Sequence, residues 1–181
     1  ELGDVSLAFS ALPHKESAEA IVKALDRGIK VIDVSADFRL KESSSYSSWY
    51  HFDHGNPDLL KRPVHGLTES DRNAITKTNL IANPGCYTTC AQLPLVPLIK
   101  TGAINADEIV IDAKSGMTGA GRAAKEEMLF SEVSEGFHAY GVGHHRHMAE
   151  LDQEFSLAAG RAVTVTFTPH LVPMNRGILS T

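Results

Sequence analysis

Only two cysteines, Cys86 and Cys90, stand in the 181 residues, and their i,i+4 separation suits independent thiols better than a bridge. A disulfide framework is thereby excluded, and a reducing compartment is expected: the cytoplasm, or the stroma or matrix of an organelle. No uninterrupted apolar run approaches the length needed to cross a bilayer, so no membrane partner is expected. Positive charge is scarce too. With 17 Lys and Arg against 22 Asp and Glu, the formal net charge is -5, and no basic stripe is visible, which argues against nucleic acid as the main partner. Internal repeats and low-complexity tracts are missing; Ser43-Ser44-Ser45 is too short for a linker. What remains is an ordinary globular composition, 43% hydrophobic and 22% charged, long enough for one domain or parts of two.

The apolar run Val5–Leu12 reads as a buried strand, and Lys15–Arg27 as a helix with Ala18, Ile21, Val22 and Leu25 on one face. Gly28 stops that helix, and Lys30–Val34 is the next strand, which makes a βαβ unit and calls for a parallel sheet. Ligands of such sheets bind beyond the carboxyl ends of the strands, here Ala11–His14 and Ser35–Arg39. Lys41–Thr78 is weakly periodic and reads as a long connection with one short helix near Glu69–Thr76. Asn79–Ala82 is a strand stopped by Asn83-Pro84-Gly85, and Cys86–Lys100 is an apolar helix in which Pro94 and Pro97 threaten a kink. Beyond it, Glu108–Ala113 reads as a strand, Lys114–Arg122 as a glycine-rich turn into a helix, and Met148–Ala159 as a helix. Arg161–Thr168 alternates like a half-exposed antiparallel strand, which Pro169–Gly177 breaks before a last strand at Gly177–Ser180. The pattern changes from α/β to α+β, which places a boundary at Cys86 and two partial domains at 1–85 and 86–181. Glu1 has no methionine before it, and the sequence reads as a piece of a longer chain.

Cys86 sits at the mouth of a helix, where unpaired N–H groups and the dipole favour a thiolate. The competing reading, a small buried residue at a turn, stays open on these grounds alone. Histidines at 138, 144, 145 and 147 invite zinc, but no second ligand pair accompanies His145-Arg146-His147, so no metal is expected. A cysteine nucleophile with a histidine acid/base uses the same residues better, and hydrolases and dehydrogenases share that pair. Gly116, Gly119 and Gly121 follow a strand as an anion cradle would, yet their order is G-x-x-G-x-G, not that of the dinucleotide fingerprint.

The string NPGCYTTCAQLPLVPL at residues 83–98 resembles the active-site segment of the N-acetyl-gamma-glutamyl-phosphate reductases, in the aspartate-semialdehyde dehydrogenase superfamily. The LPH loop at 12–14, SADFRL at 35–40, Ser115–Arg122, Ala139–Met148 and Pro169–Ile178 resemble further motifs of that family in the same order. Departures are Thr88 and Ala149 where proline is usual, and Cys90 where a small residue is usual. The resemblance implies the later part of a Rossmann-like parallel sheet, lacking its first βαβ, followed by a catalytic domain with a mixed sheet. It implies NADPH-dependent reduction of an acyl phosphate to an aldehyde in arginine biosynthesis, through a thioester on Cys86. His147 corresponds to the acid/base, with His145 the second choice and a substrate contact. Arg39 matches a phosphate-binding arginine, and Arg176 and Asn83 are further substrate contacts. Ser10, Pro13 and the Gly119-Ala120-Gly121 turn resemble contacts to NADP(H). The partner is a small acyl phosphate, and the full-length protein is expected to be a homo-oligomer. Three alternatives remain: a relative acting on N-acetyl-aminoadipyl phosphate, a cysteine hydrolase, and a non-catalytic module. Residues 1–181 alone are expected to bind NADPH poorly and to turn over little.

Overall fold

Leu7–Ser10 (β1), Glu16–Leu25 (α1) and Lys30–Asp33 (β2) form the βαβ unit, with β1 and β2 parallel and Ser10 opposite Asp33. Helix α1 buries Ala18, Ile21 and Ala24, the inner part of its apolar stripe. The computed structural model describes residues 4–181 and divides the chain into two compact units, Glu1–Gly85 and Cys86–Thr181.

The first unit is a four-stranded parallel sheet in the order β1-β2-β4-β3, where β3 is Val64–His65 and β4 is Leu80–Ala82. Strand β1 is shorter than its apolar run and is not buried. It is an edge strand, and alternation turns Leu7 and Phe9 (68% exposed) away from the face that carries Ser10 and meets α1. The segment read as a mostly structureless connection is also more ordered than expected. It contains helix α2 (Ser43–Tyr50), a 3-10 turn at Pro57–Lys61, β3, and helix α3 (Thr68–Ile75). Five of the eight residues of α2 are serines, which are poor helix formers, so local propensity hid it. Burial of Tyr46 overrides that propensity: its hydroxyl donates to Ala36 O (3.0 Å) and accepts from Leu40 N (3.0 Å). Tyr50, Phe52 and His54 surround the same ring. The connection is thus a scaffold beneath the Ser35–Leu40 loop.

The second unit opens with α4 (Cys86–Lys100), which runs unbroken through Pro94 and Pro97. Both prolines lie on the exposed face of the helix, away from its packing against the sheet. Then come β5 (Val110–Gly116), 3-10 turns at Met117–Ala120 and Glu126–Met128, the short α5 (Phe130–Val133), β6 (His138–Ala139), α6 (His147–Ala159), β7 (Thr166–Val172) and β8 (Ile178–Ser180). The mixed sheet has the order β6-β7-β5-β8: β5 and β7 are parallel, while β6 and β8 run antiparallel at the edges. Helices α4 and α6 pack on it through Tyr87, Ala91, Leu151, Phe155 and Phe167.

The expectations for residues 161–177 fail in two respects. The alternating stretch 161–165 is not a strand, because its backbone groups bond to α6 side chains: Ser156 Oγ accepts from Val163 N (2.9 Å) and Asp152 Oδ1 from Val165 N (2.9 Å). Strand β7 starts later, lies parallel to β5, and runs through Pro169. Pro169 O accepts from Tyr140 N (3.0 Å), so the proline nitrogen faces the same side, where β6 has already ended.

In the first unit Asp37 is fully buried and accepts from Lys15 N (2.8 Å) and Ala18 N (3.0 Å), capping α1 from a distant part of the chain. Asp37→Ala is expected to lower stability by about 2 kcal/mol, a cap lost from a buried site. Urea unfolding measures this, and a change within about 0.5 kcal/mol would contradict the assignment of the cap.

Candidate active site

The polar groups of the first unit gather at the carboxyl ends of its parallel strands. Ser10 Oγ meets Ser17 Oγ (2.7 Å), and Ser17 Oγ donates to Asp33 Oδ1 (3.1 Å), which also accepts from Ser35 N (2.9 Å). Burial raises the Asp33 carboxyl above the usual carboxylate range, and the neighbouring Asp37 adds to the rise. Pro13 O accepts from Ser17 N (3.0 Å), and His14 Nδ1 lies 3.5 Å from Asp37 Oδ1. Arg39 Nη2 donates to Val34 O (2.9 Å), and Asn83 N extends the β2–β4 ladder by donating to Asp33 O (2.8 Å). Ser10, Pro13, Arg39 and Asn83 therefore share one end of one sheet.

A groove of about 720 Å³ runs along the flank of β1 and α1, from Arg27 and Val31 to Leu12, and only Ser10, Ala11 and Leu12 of its lining reach the carboxyl end where a nicotinamide cofactor would bind. The amino terminus of α1, however, is closed to a phosphate, because the Asp37 carboxylate already takes the Lys15 and Ala18 N–H groups.

In the second unit Cys86 is exposed, as the first residue of α4. Its neighbour Tyr87 carries the geometry inward. The Tyr87 ring lies edge-on to both His145 (5.7 Å between centroids) and His147 (5.9 Å), and the two imidazoles are 4.8 Å apart. Tyr140 OH donates to Tyr87 OH (3.0 Å), which donates to His170 O (3.2 Å). Burial raises both phenols above their usual range, so this pair stays protonated.

The two histidines differ in kind. His145 lies against Tyr87, Tyr140 and Phe167, and its pKa is pushed down to about 3 by burial, with His147 and Arg146 adding to the effect. His147 N donates to His145 Nδ1 (3.2 Å), so the neutral ring carries its proton on Nε2. His145 is a neutral hydrogen-bond donor. His147 starts α6, is 7% exposed, and places Nε2 3.6 Å from Glu150 Oε1. Glu150 was missed from the sequence, although His-x-x-Glu puts both groups on one helical face.

Gly119, Ala120 and Gly121 do not lead directly into a helix. Met117–Ala120 is a 3-10 turn pinned to the Arg176 segment, with Thr118 N donating to Asn175 O (3.0 Å) and Met117 N to Met174 O (2.8 Å). A Cβ on Gly116 would lie 2.6 Å from Arg176 N, so only glycine permits that approach. The structure thus brings the glycine turn and Arg176 together. Among the described residues no group of three or more His, Cys, Asp or Glu could hold a metal ion, and no helix is long and apolar enough to cross a membrane.

Residues 86–181 match the family model described as semialdehyde dehydrogenase, dimerisation domain, and residues 1–78 match that described as semialdehyde dehydrogenase, NAD binding domain. A protein of Afipia carboxidovorans named N-acetyl-gamma-glutamyl-phosphate reductase is 65% identical over 179 residues, 98% of this chain and 51% of the relative. A protein of the same name from Rhodospirillum rubrum is 54% identical over 182 residues, again 98% of this chain and 51% of the relative. The chain spans about half the length of the curated relatives it matches. Among solved structures, aspartate semialdehyde dehydrogenase II from Vibrio cholerae superposes with a TM-score of 0.66 at 19% identity, over 97% of this chain and 54% of that one. At that identity the likeness establishes the fold.

His145 also makes stability depend on pH. Its proton affinity falls from 6.5 in the unfolded chain to about 3 on folding, so its contribution is complete above 6.5 and is lost as pH drops from 6.5 towards about 3. His145→Gln is expected to flatten the fall in urea midpoint over that window. NMR of the wild type is expected to show this ring unprotonated down to about pH 4, and a ring titrating near its ordinary value would contradict the assignment.

Proposed function

The chain belongs to the semialdehyde dehydrogenase family, and on that premise we propose that it carries the reacting groups of an NADPH-dependent reduction of N-acetyl-gamma-glutamyl phosphate to N-acetylglutamate semialdehyde and phosphate. The observation that carries this reading is an exposed thiol at the start of α4, one residue from a ring that touches two imidazoles.

The Cys86 thiolate attacks the acyl carbon, the bond from that carbon to the phosphoryl oxygen breaks, and phosphate leaves a thioester behind. The amino-terminal end of the α4 dipole favours both the thiolate and the oxyanion that forms on the carbonyl. Ser10, Pro13 and the Gly119–Gly121 turn would hold NADPH, which would supply hydride to the thioester carbon. His147 gives the resulting oxygen a proton and takes it back as the C–S bond breaks, releasing the aldehyde and the thiolate. Positive charge on this imidazole at a helix amino terminus is opposed by the dipole, and Glu150 in the same turn offsets that. His145, held neutral, donates from Nε2 to substrate oxygen. Arg39 presents a planar donor for the phosphoryl group, Arg176 and Asn83 contact the rest of the substrate, and Ser10, Pro13 and the Gly119–Gly121 turn contact the cofactor. The intact protein assembles as a homo-oligomer through residues 86–181, and it works in arginine biosynthesis in the cytoplasm or an organelle's stroma or matrix.

The full-length protein is expected to reduce NADP+ in the presence of phosphate and N-acetylglutamate semialdehyde. It should favour that substrate over the one-carbon-longer aminoadipyl analogue by about tenfold or more in kcat/KM. Cys86→Ser should lower kcat by about 10³-fold or more. Preference for the longer analogue would reassign the substrate, and alkylation-sensitive hydrolysis without nicotinamide dependence would replace the reaction.

A further inference from the structure

We propose that Thr88 is a positioning residue: its hydroxyl locks the Glu150 carboxylate against the His147 imidazole and so fixes the acid/base relative to the helix that bears the nucleophile. The proposal rests on the roles given above to Cys86 and His147.

Glu150 is 2% exposed and Thr88 is fully buried. A carboxylate withdrawn from water needs a partner on each oxygen. Oε1 faces His147 Nε2 at 3.6 Å, and Oε2 accepts a hydrogen bond from Thr88 Oγ1 at 3.1 Å. Thr88 is two residues after Cys86, about 200° further round α4, so it points into the α4–α6 packing while Cys86 stays at the surface. The bond therefore runs from the first turn of the thiol's helix to the first turn of the imidazole's helix. The pair of oxygens favours one orientation: the Thr88 bond to Oε2 helps keep Oε1 on His147, and removing the hydroxyl takes one hydrogen bond from the ionised form of the carboxylate. Tyr87 from α4, His145 from the preceding loop and Glu150 from its own helix are among the groups that face His147. Glu150 is the acid of this set, so weakening its charge weakens the local support for imidazolium.

The test uses the full-length protein. Thr88→Val is expected to lower kcat about tenfold with KM for the acyl phosphate within about twofold, and to move the imidazole limb of the pH–rate profile to lower pH. Thr88→Ser, which keeps the hydroxyl, should stay within about twofold of the wild type. Should Thr88→Val not fold, judged by circular dichroism, Thr88→Ala takes its place with the same expected loss. Unchanged kcat and an unchanged limb in the folded variant would overturn the proposal. A second readout needs neither substrate nor cofactor: the NMR titration midpoint of His147 is expected to fall when the hydroxyl is removed. An unmoved midpoint overturns the clasp, whereas a wild-type protein without phosphate-dependent nicotinamide reduction overturns the assigned reaction and leaves the midpoint to decide on Thr88.

Discussion

A carboxylate placed out of contact with water constrains everything around it, and in the second unit that carboxylate is Glu150. Its two oxygens are met by groups from the first turns of two helices, His147 on α6 and Thr88 on α4. Those helices begin at His147 and Cys86, so a requirement of burial brings together two helix starts, one bearing an imidazole and the other a thiol. Beneath them, Phe155, Phe167 and Leu151 fill the space against the mixed sheet and leave neither helix room to slide. Tyr87 serves packing and site at once: its ring sits in the core cluster and its edges meet both imidazoles.

The first unit solves a similar problem with Asp37. This carboxylate caps α1 through Lys15 N and Ala18 N and faces His14, while its own carbonyl accepts from His54 Nε2 (2.8 Å). The loop with Pro13 and the loop with Arg39 are thereby tied to one side chain. Lys15 pays for the tie with a φ of 73°, a conformation that residues other than glycine seldom adopt. Tyr46 holds the same Ser35–Leu40 loop from below through Ala36 O and Leu40 N. The positions that the sequence marks for phosphate and cofactor are therefore set by buried polar groups.

Most of this was legible where periodicity and punctuation agreed. The βαβ unit, the helix starting at Cys86 and the helix after His147 all follow from apolar spacing bounded by Gly, Pro and Asn. The failures have physical causes. Helix α2 was hidden because serines argue against helix while one buried tyrosine decides for it. Residues 161–165 do alternate, and Val163 and Val165 are buried, but their backbone partners are Ser156 and Asp152 side chains, which no periodicity reveals. Cys86, His145 and His147 were singled out because their residue types carry chemistry. Thr88 and Glu150 were not, since their importance lies in touching each other across 62 positions of chain.

The account stands on a thioester forming at one sulfur. Full-length protein incubated with N-acetyl-gamma-glutamyl phosphate in the absence of cofactor, then digested and analysed by mass spectrometry, tests that most directly. The account predicts one N-acetylglutamyl group on the peptide at Cys86, with an equal amount of phosphate released. Phosphate release without acylation of Cys86, or acylation at Cys90 instead, would contradict it.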